Sequence, residues 1–216
     1  MTKTMIISRP NYDLNTSYLF DFSNEFIKII KDSKEIHVTD LDAKNATREK
    51  FQKHLEKEKP KLIFLNGHGN RNSVFGHNDE IILDEKNISL TKNAIIYAIS
   101  CDSLEHLGQI SIEKGTKAYI GYKARFMVIS DPTHHSTPHK DNNALPFKKA
   151  CTILINGLVS GFTVKEALDE TKKEYLHSIK TYTKKDDPFG DTPMIRFALT
   201  WNLLFLGMYG DPNAVF

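Results

Sequence analysis

Three short runs limit this chain more than any other feature: "KLIFLN" at 61–66, "AIIYAIS" at 94–100 and "KAYIGY" at 117–122. Each is apolar without a break, whereas a strand with one wetted face alternates apolar and polar residues. Continuous runs of this length belong to strands covered on both faces, as in parallel sheets sandwiched between helices. Two further strand-like pieces, "KTMIIS" and "EIHVTDL", precede them. Between the pieces lie segments of helical period. "YLFDFSNEFIKIIK" places Leu19, Phe22, Phe26, Ile29 and Ile30 on one side, and "NATREKFQKHLEKEK" reads as a charged surface helix ended by Pro60.

This alternation predicts a three-layer α-β-α sandwich, a mostly parallel sheet with helices on both faces, in a single domain over residues 1–216. "NSVFGHNDEIILDEKN" suggests a small hairpin. "SLEHLGQISIEKG" reads as a helix starting at Ser103 and closed by Gly115. A long polar loop, "ARFMVISDPTHHSTPHKDNN", precedes two helices, "ALPFKKACTILINGL" and "TVKEALDETKKEYLHSIKTY". After the loop "TKKDDPFGDTP" comes the apolar "MIRFALTWNLLFLGMYGDP", with Trp201 assigned to the core.

Composition narrows the classes of function. The chain has 29 basic and 27 acidic side chains, a net charge of +2, and no basic block interleaved with aromatics, so nucleic acid is not the expected partner. No apolar run approaches the roughly 18 residues of a membrane span, and the first residues do not read as a secretion signal. Two cysteines, Cys101 and Cys151, form no C-x-x-C pattern, which argues against a disulfide framework or a cysteine zinc site. A reducing cytoplasm is the expected compartment. His134, His135 and His139 of the loop lack metal-ligand spacing, and no metal or cofactor is expected.

Two strand ends carry the chemistry. In doubly wound sheets, reactive groups gather at the carboxyl ends of strands. One core strand ends in Gly67-His68-Gly69 and the next in Ser100-Cys101-Asp102. Neighbouring strands lie about 4.8 Å apart, so His68 and Cys101 could face one another, the imidazole taking the thiol proton. A helix starting just after Cys101 would favour the thiolate further. On this reading Gly67 allows a sharp turn, and Gly69 leaves room for substrate. The N–H groups of Gly69 and Cys101 would form an oxyanion hole. Asp102, next to Cys101, fits either a contact to substrate or a cap for that helix. Cys151 fits core packing.

These residues, "FLNGHGN" and "IYAISCDS", resemble the caspase-like cysteine peptidases, the clan of caspases, gingipains, separases and bacterial CHAT proteases. "FTVKEALDETKKEY" and "LGMYGDPNAV" are similar to later segments of gingipain-type and CHAT members, so the resemblance spans residues 60–214 in order. It implies a cysteine endopeptidase with His68 as general base, Cys101 as nucleophile and a thioester intermediate. It also implies a protein or peptide substrate, and a bacterial signalling or defence setting with an activating protein partner. The loop over 123–143 would be the switch. The sequence departs from the family at Ile99, where basic-specific members carry an acid, and it lacks the caspase Gln-Ala-Cys-x-Gly. Asp131 and Asp141 are then the candidate substrate-pocket acids, although Asp131 also fits a turn and Asp141 a helix N-cap. Arg125 fits a solvent-facing position or a pair with an aspartate. Two other readings stand beside this one: a catalytically silent caspase-like binding or scaffold module, and a flavodoxin-like small-ligand binder. The latter wants a glycine-rich loop that "SRPNYDLNTS" lacks.

Overall fold

The computed structural model describes residues 2–31, 35–185, 187 and 190–216. The side chain of Ile29, and residues 186, 188 and 189 of the second polar loop, lie outside the described residues. The five strand-like pieces form β1 (Lys3–Arg9), β2 (Ile36–Asp42), β3 (Leu62–Asn66), β7 (Ile95–Ile99) and β8 (Ala118–Tyr122). The hairpin region makes three short strands, β4 (Gly69–Asn70), β5 (Ser73–Phe75) and β6 (Ile81–Asp84). A last strand, β9 (Leu206–Gly210), completes a six-stranded sheet in the order β2-β1-β3-β7-β8-β9. All pairings in it are parallel except β8 with β9.

Helices cover both faces. Tyr18, Phe22 and Phe26 of α1 (Leu14–Lys31) pack on one face, together with α4 (Leu145–Val159), α5 (Val164–Thr181) and α6 (Asp191–Phe205). On the other face Phe51 and Leu55 of α2 (Arg48–Glu58) meet Leu107 of α3 (Leu107–Glu113) and the small hairpin sheet. The central strands β3, β7 and β8 are buried at every position, as their unbroken apolar runs require. The result is an α/β sandwich with a mostly parallel sheet. Strand order reverses between β1 and β3, and the crevice outside the carboxyl ends at such a point is where ligands collect in sheets of this kind.

Three boundaries differ from the sequence reading. The first helix starts at Leu14, four residues before the segment of helical period that opens at Tyr18, because Asp13 and Thr16 cap each other. The Thr16 N–H donates to Asp13 Oδ1 at 2.8 Å, and the Asp13 N–H donates to Thr16 Oγ1 at 3.0 Å. The helix after Cys101 starts at Leu107, not Ser103. Asp102 holds a left-handed φ of 57°, and the N–H groups of Asp102, Leu104 and Leu107 donate to Ala124, Tyr122 and Arg71 rather than within a helix. The C-terminal apolar segment divides into α6 and β9 without an intervening loop. Trp201 is only partly buried: its indole N–H donates to the Arg125 carbonyl at 2.9 Å, while Met194, Phe197 and Leu204 of the same helix are exposed.

The hairpin sheet is tied to α2 by a two-pronged ion pair, Arg48 Nη2 to Asp84 Oδ1 at 2.9 Å and Arg48 Nη1 to Asp84 Oδ2 at 3.1 Å. The hydrogen bonds from Arg48 hold the Asp84 carboxyl below its ordinary 3.8, outweighing burial, which acts the other way. A depressed carboxyl stabilises the fold above its unfolded pKa and loses that contribution as pH falls through its folded value. Asp84→Asn should therefore cost about 1 kcal/mol near pH 7. In denaturant titrations the difference should shrink towards zero as the pH drops below 3.8. A difference that persists undiminished in acid would contradict this assignment.

Candidate functional site

The β3–β7 register sets the site. Asn66 lies opposite Ile99, so the residues just beyond, Gly67-His68 and Ser100-Cys101, leave the sheet side by side. Two bonds prolong the pairing past the strands: the Gly67 N–H donates to the Ile99 carbonyl at 3.3 Å, and Ser100 Oγ donates to the His68 carbonyl at 2.9 Å. His68 and Cys101 both line one cavity of about 510 Å³, closed on its other sides by the start of α1 and by residues 125–128 after β8. Among the described residues no hydrogen bond joins Cys101 to His68. The two groups share a cavity, and each has other partners.

His68 is held by a residue that the sequence reading passed over. Its Nε2 lies 2.6 Å from Asp13 Oδ2, while Asp13 Oδ1 caps α1. One carboxylate thus anchors the first helix and orients the imidazole. Burial acts to raise the Asp13 carboxyl, but the Thr16 N–H and the His68 ring together outweigh it and hold the group below its ordinary value. The edge of Tyr12 packs on the imidazole with centroids 6.1 Å apart. The signal was present in "DLNT", an acid three residues before a threonine just past the first strand, which is a helix-capping pattern.

Cys101 has a different environment from the one its sequence suggests. With α3 starting at Leu107, the helix N-terminus expected directly after Cys101 is not there. Burial raises its pKa above the ordinary 9.0, against the opposing hydrogen bond from the Phe126 backbone. Asp102 adds to the rise and Arg125 works against it. The resting group is accordingly a thiol, which needs a base to become a nucleophile. Cys151 is buried beside Tyr97 and Tyr122, and its thiol is pushed up to about 12, as fits a packing role.

The glycines beside His68 are explained by protein neighbours. A Cβ on Gly69 would stand 1.9 Å from Ser100 Oγ and 2.9 Å from the Ser73 carbonyl oxygen. At Gly67 it would stand 2.6 Å from the Phe75 carbonyl oxygen. The room beside the imidazole is thus filled by the hairpin and by Ser100, where the sequence suggested substrate. The Gly69 N–H is nonetheless directed away from the hairpin. The Phe75 N–H donates to the His68 carbonyl, so in an antiparallel ladder the next pair, Gly69 with Val74, exchanges no bonds.

Asp131 and Asp141 are not among the residues lining the cavity. Asp131 accepts from the Thr133 N–H and hydroxyl in the turn that it begins. Asp141 is buried and accepts from Tyr18 Oη at 2.6 Å and from the N–H groups of Asp131 and Asn143, both at 2.8 Å. It does not cap α4, whose N-terminus has no side-chain cap, because its oxygens are engaged within the loop. Asn202 of α6 is a further residue that sequence reasoning missed. Its amide grips the Met127 backbone from both sides, at 2.9 Å to the N–H and 2.8 Å to the carbonyl, and so fixes the cavity wall. No periodicity marks such a contact, since its partner lies 75 residues away. Among the described residues, no group of three or more His, Cys, Asp or Glu side chains is placed to hold a metal ion, and no helix is long and apolar enough to cross a membrane.

No family model matches the sequence. No curated protein matches it. Among solved structures, the chain is similar to the Arg-specific cysteine proteinase gingipain R, with a TM-score of 0.58 and 12% identity. The match covers 99% of this chain and 47% of the gingipain chain, so the present chain spans about half the length of that relative. At this identity the likeness is one of fold alone. A candidate phosphomethylpyrimidine kinase from Bacteroides thetaiotaomicron aligns over 97% of this chain and 99% of its own at 12% identity, with a TM-score of 0.32 that is too low to carry an argument.

Two measurements check this geometry. Alkylation of Cys101 by iodoacetamide, followed by intact mass, should be slow at neutral pH and keep rising beyond pH 9.0. A rate that levels off below that value would show a thiol less shielded than described. Gly69→Ala should lower the melting temperature by several degrees, equivalent to about 1–3 kcal/mol of overpacking. Ser100→Gly in the same chain should recover part of the loss.

Proposed function

We propose that this chain is a cysteine peptidase domain, residues 1–216, that hydrolyses peptide bonds with Cys101 as nucleophile, His68 as general base and Asp13 as the group that orients the base. The observation that carries the reading is one cavity lined by both His68 and Cys101, with the imidazole held from behind by Asp13. The fold likeness to a cysteine proteinase agrees with it.

With Nε2–H directed at Asp13, Nδ1 is the nitrogen that takes the proton from the raised Cys101 thiol. The sulfur then adds to the carbonyl carbon of the scissile peptide, and the negative charge goes to the carbonyl oxygen. The N–H groups of Gly69 and Cys101 are the candidate donors to that oxygen. On collapse the C–N bond breaks, and the leaving amine takes the proton from His68. Water, deprotonated by the same ring, then cleaves the thioester to a carboxylate and restores the thiol. Asp13 keeps the ring in the required tautomer and steadies its positive form. The substrate is a protein or peptide, and no step calls on a cofactor.

Cys101→Ala and His68→Ala should each abolish turnover of an internally quenched peptide mixture while leaving the melting temperature within a few degrees. Asp13→Asn still caps α1, since Asn is as good a cap as Asp. It should lower kcat by roughly tenfold to a hundredfold, short of the ~10⁴-fold loss known for a buried counterpart, because this pair is partly exposed. Turnover by Cys101→Ala at the parent rate would remove the mechanism. If the parent chain neither cleaves the mixture nor is labelled at Cys101 by peptidyl acyloxymethyl ketones, the binding-module reading takes its place.

A further inference from the structure

Resting on that reading, we infer that the cavity selects an uncharged, apolar side chain, of the size of leucine, methionine or phenylalanine, at the residue before the scissile bond. Three observations carry this. Leu14 and Tyr18 of α1 and Phe126, Met127 and Val128 after β8 give about half of the lining an apolar character, beside the uncharged polar groups of Asn15, Ser100 and Ser130. The only carboxylate among the lining residues is Asp102, and the only cation besides the imidazole is Arg125. These two act on the Cys101 thiol in opposite directions, so neither sign of charge predominates beside the reacting atom.

Two of the acids that could have served an arginine or lysine substrate, Asp131 and Asp141, are committed elsewhere. Both oxygens of Asp141 accept hydrogen bonds from within the protein, and Asp131 is held in its own turn. A guanidinium or ammonium entering the cavity would find Asp102 as its one lining carboxylate, with the Arg125 cation set against it, and would be desolvated without a second acid. A carboxylate side chain would meet the same walls, and Arg125 stands exposed after β8. An apolar side chain gains from leaving water for the apolar part of the lining, enough for about tenfold discrimination. The wall is firm enough to select, because Asn202 grips Met127 and the Trp201 indole holds the Arg125 carbonyl.

The test uses the full chain and internally quenched peptides identical except for Leu, Met, Phe, Arg, Lys or Asp before the scissile bond. The expected result is a kcat/KM at least about tenfold higher for Leu, Met or Phe than for Arg, Lys or Asp. A matching series of peptidyl acyloxymethyl ketones should label Cys101 in the same order. Preference for Arg, Lys or Asp would overturn the inference and leave the peptidase standing. Neither cleavage nor labelling with any member would overturn both. Val128→Asp, at a half-buried wall position, should raise the Arg-to-Leu ratio at least about tenfold. Val128→Ala, the milder change, should shift preference from Leu towards Phe. Ratios unmoved in both folded variants would show that this wall does not meet the substrate side chain, and the inference would fall.

Discussion

The site depends on the parallel pairing of β3 with β7. Phe64 and Tyr97 sit opposite each other in that register, stack with centroids 5.2 Å apart, and are both buried, so a slip between the strands would break a stacked aromatic pair inside the core. A one-residue slip would also turn every side chain of a doubly covered strand to the opposite face. With the register held, Gly67-His68 and Ser100-Cys101 must emerge together. The bond from Ser100 Oγ to the His68 carbonyl then fixes the two strand ends to each other.

The charges at the site divide the work between the residues. Burial keeps the Cys101 sulfur protonated at rest, a state protected from adventitious alkylation and oxidation. In the proposed mechanism activation falls to His68, with Asp13 orienting the ring. That carboxylate sits at the N-terminus of an 18-residue helix, where backbone dipoles favour negative charge. The first helix is thus a structural element that also sets the orientation of the imidazole. Any change that tilts α1 would move Asp13 along with Leu14 and Tyr18 of the cavity wall.

The cavity's other wall is built from loop residues that have no regular structure of their own. The backbone of 125–127 is held by Trp201 and Asn202 of α6, and the stretch beyond it by Asp141, whose oxygens collect Tyr18 of α1 and two loop N–H groups. A loop fastened at several points to two helices provides a shaped surface at modest cost in order. Tyr18 links the two walls, since it both lines the cavity and donates to Asp141.

The sequence by itself determined the layers and singled out the two residues proposed as reactive. Unbroken apolar runs have only a doubly covered sheet to occupy, and a strand's end lies where its run stops, which points to His68 and Cys101. Local chemistry was legible in principle at Asp13 as well, through its capping pattern. What only the tertiary structure decided were the relations between distant segments. These include the Asp13 contact with His68, the Asn202 grip on Met127, and the engagement of Asp141 by Tyr18. The delayed start of α3 belongs with them, because its preceding turns are bonded to β8 and the hairpin. So does the crowding at Gly69, which comes from Ser100. The physical reason is common to all of these. Periodicity and capping arise among residues a few positions apart, whereas a hydrogen bond across 55 or 75 residues exists only once the sheet has brought its partners together.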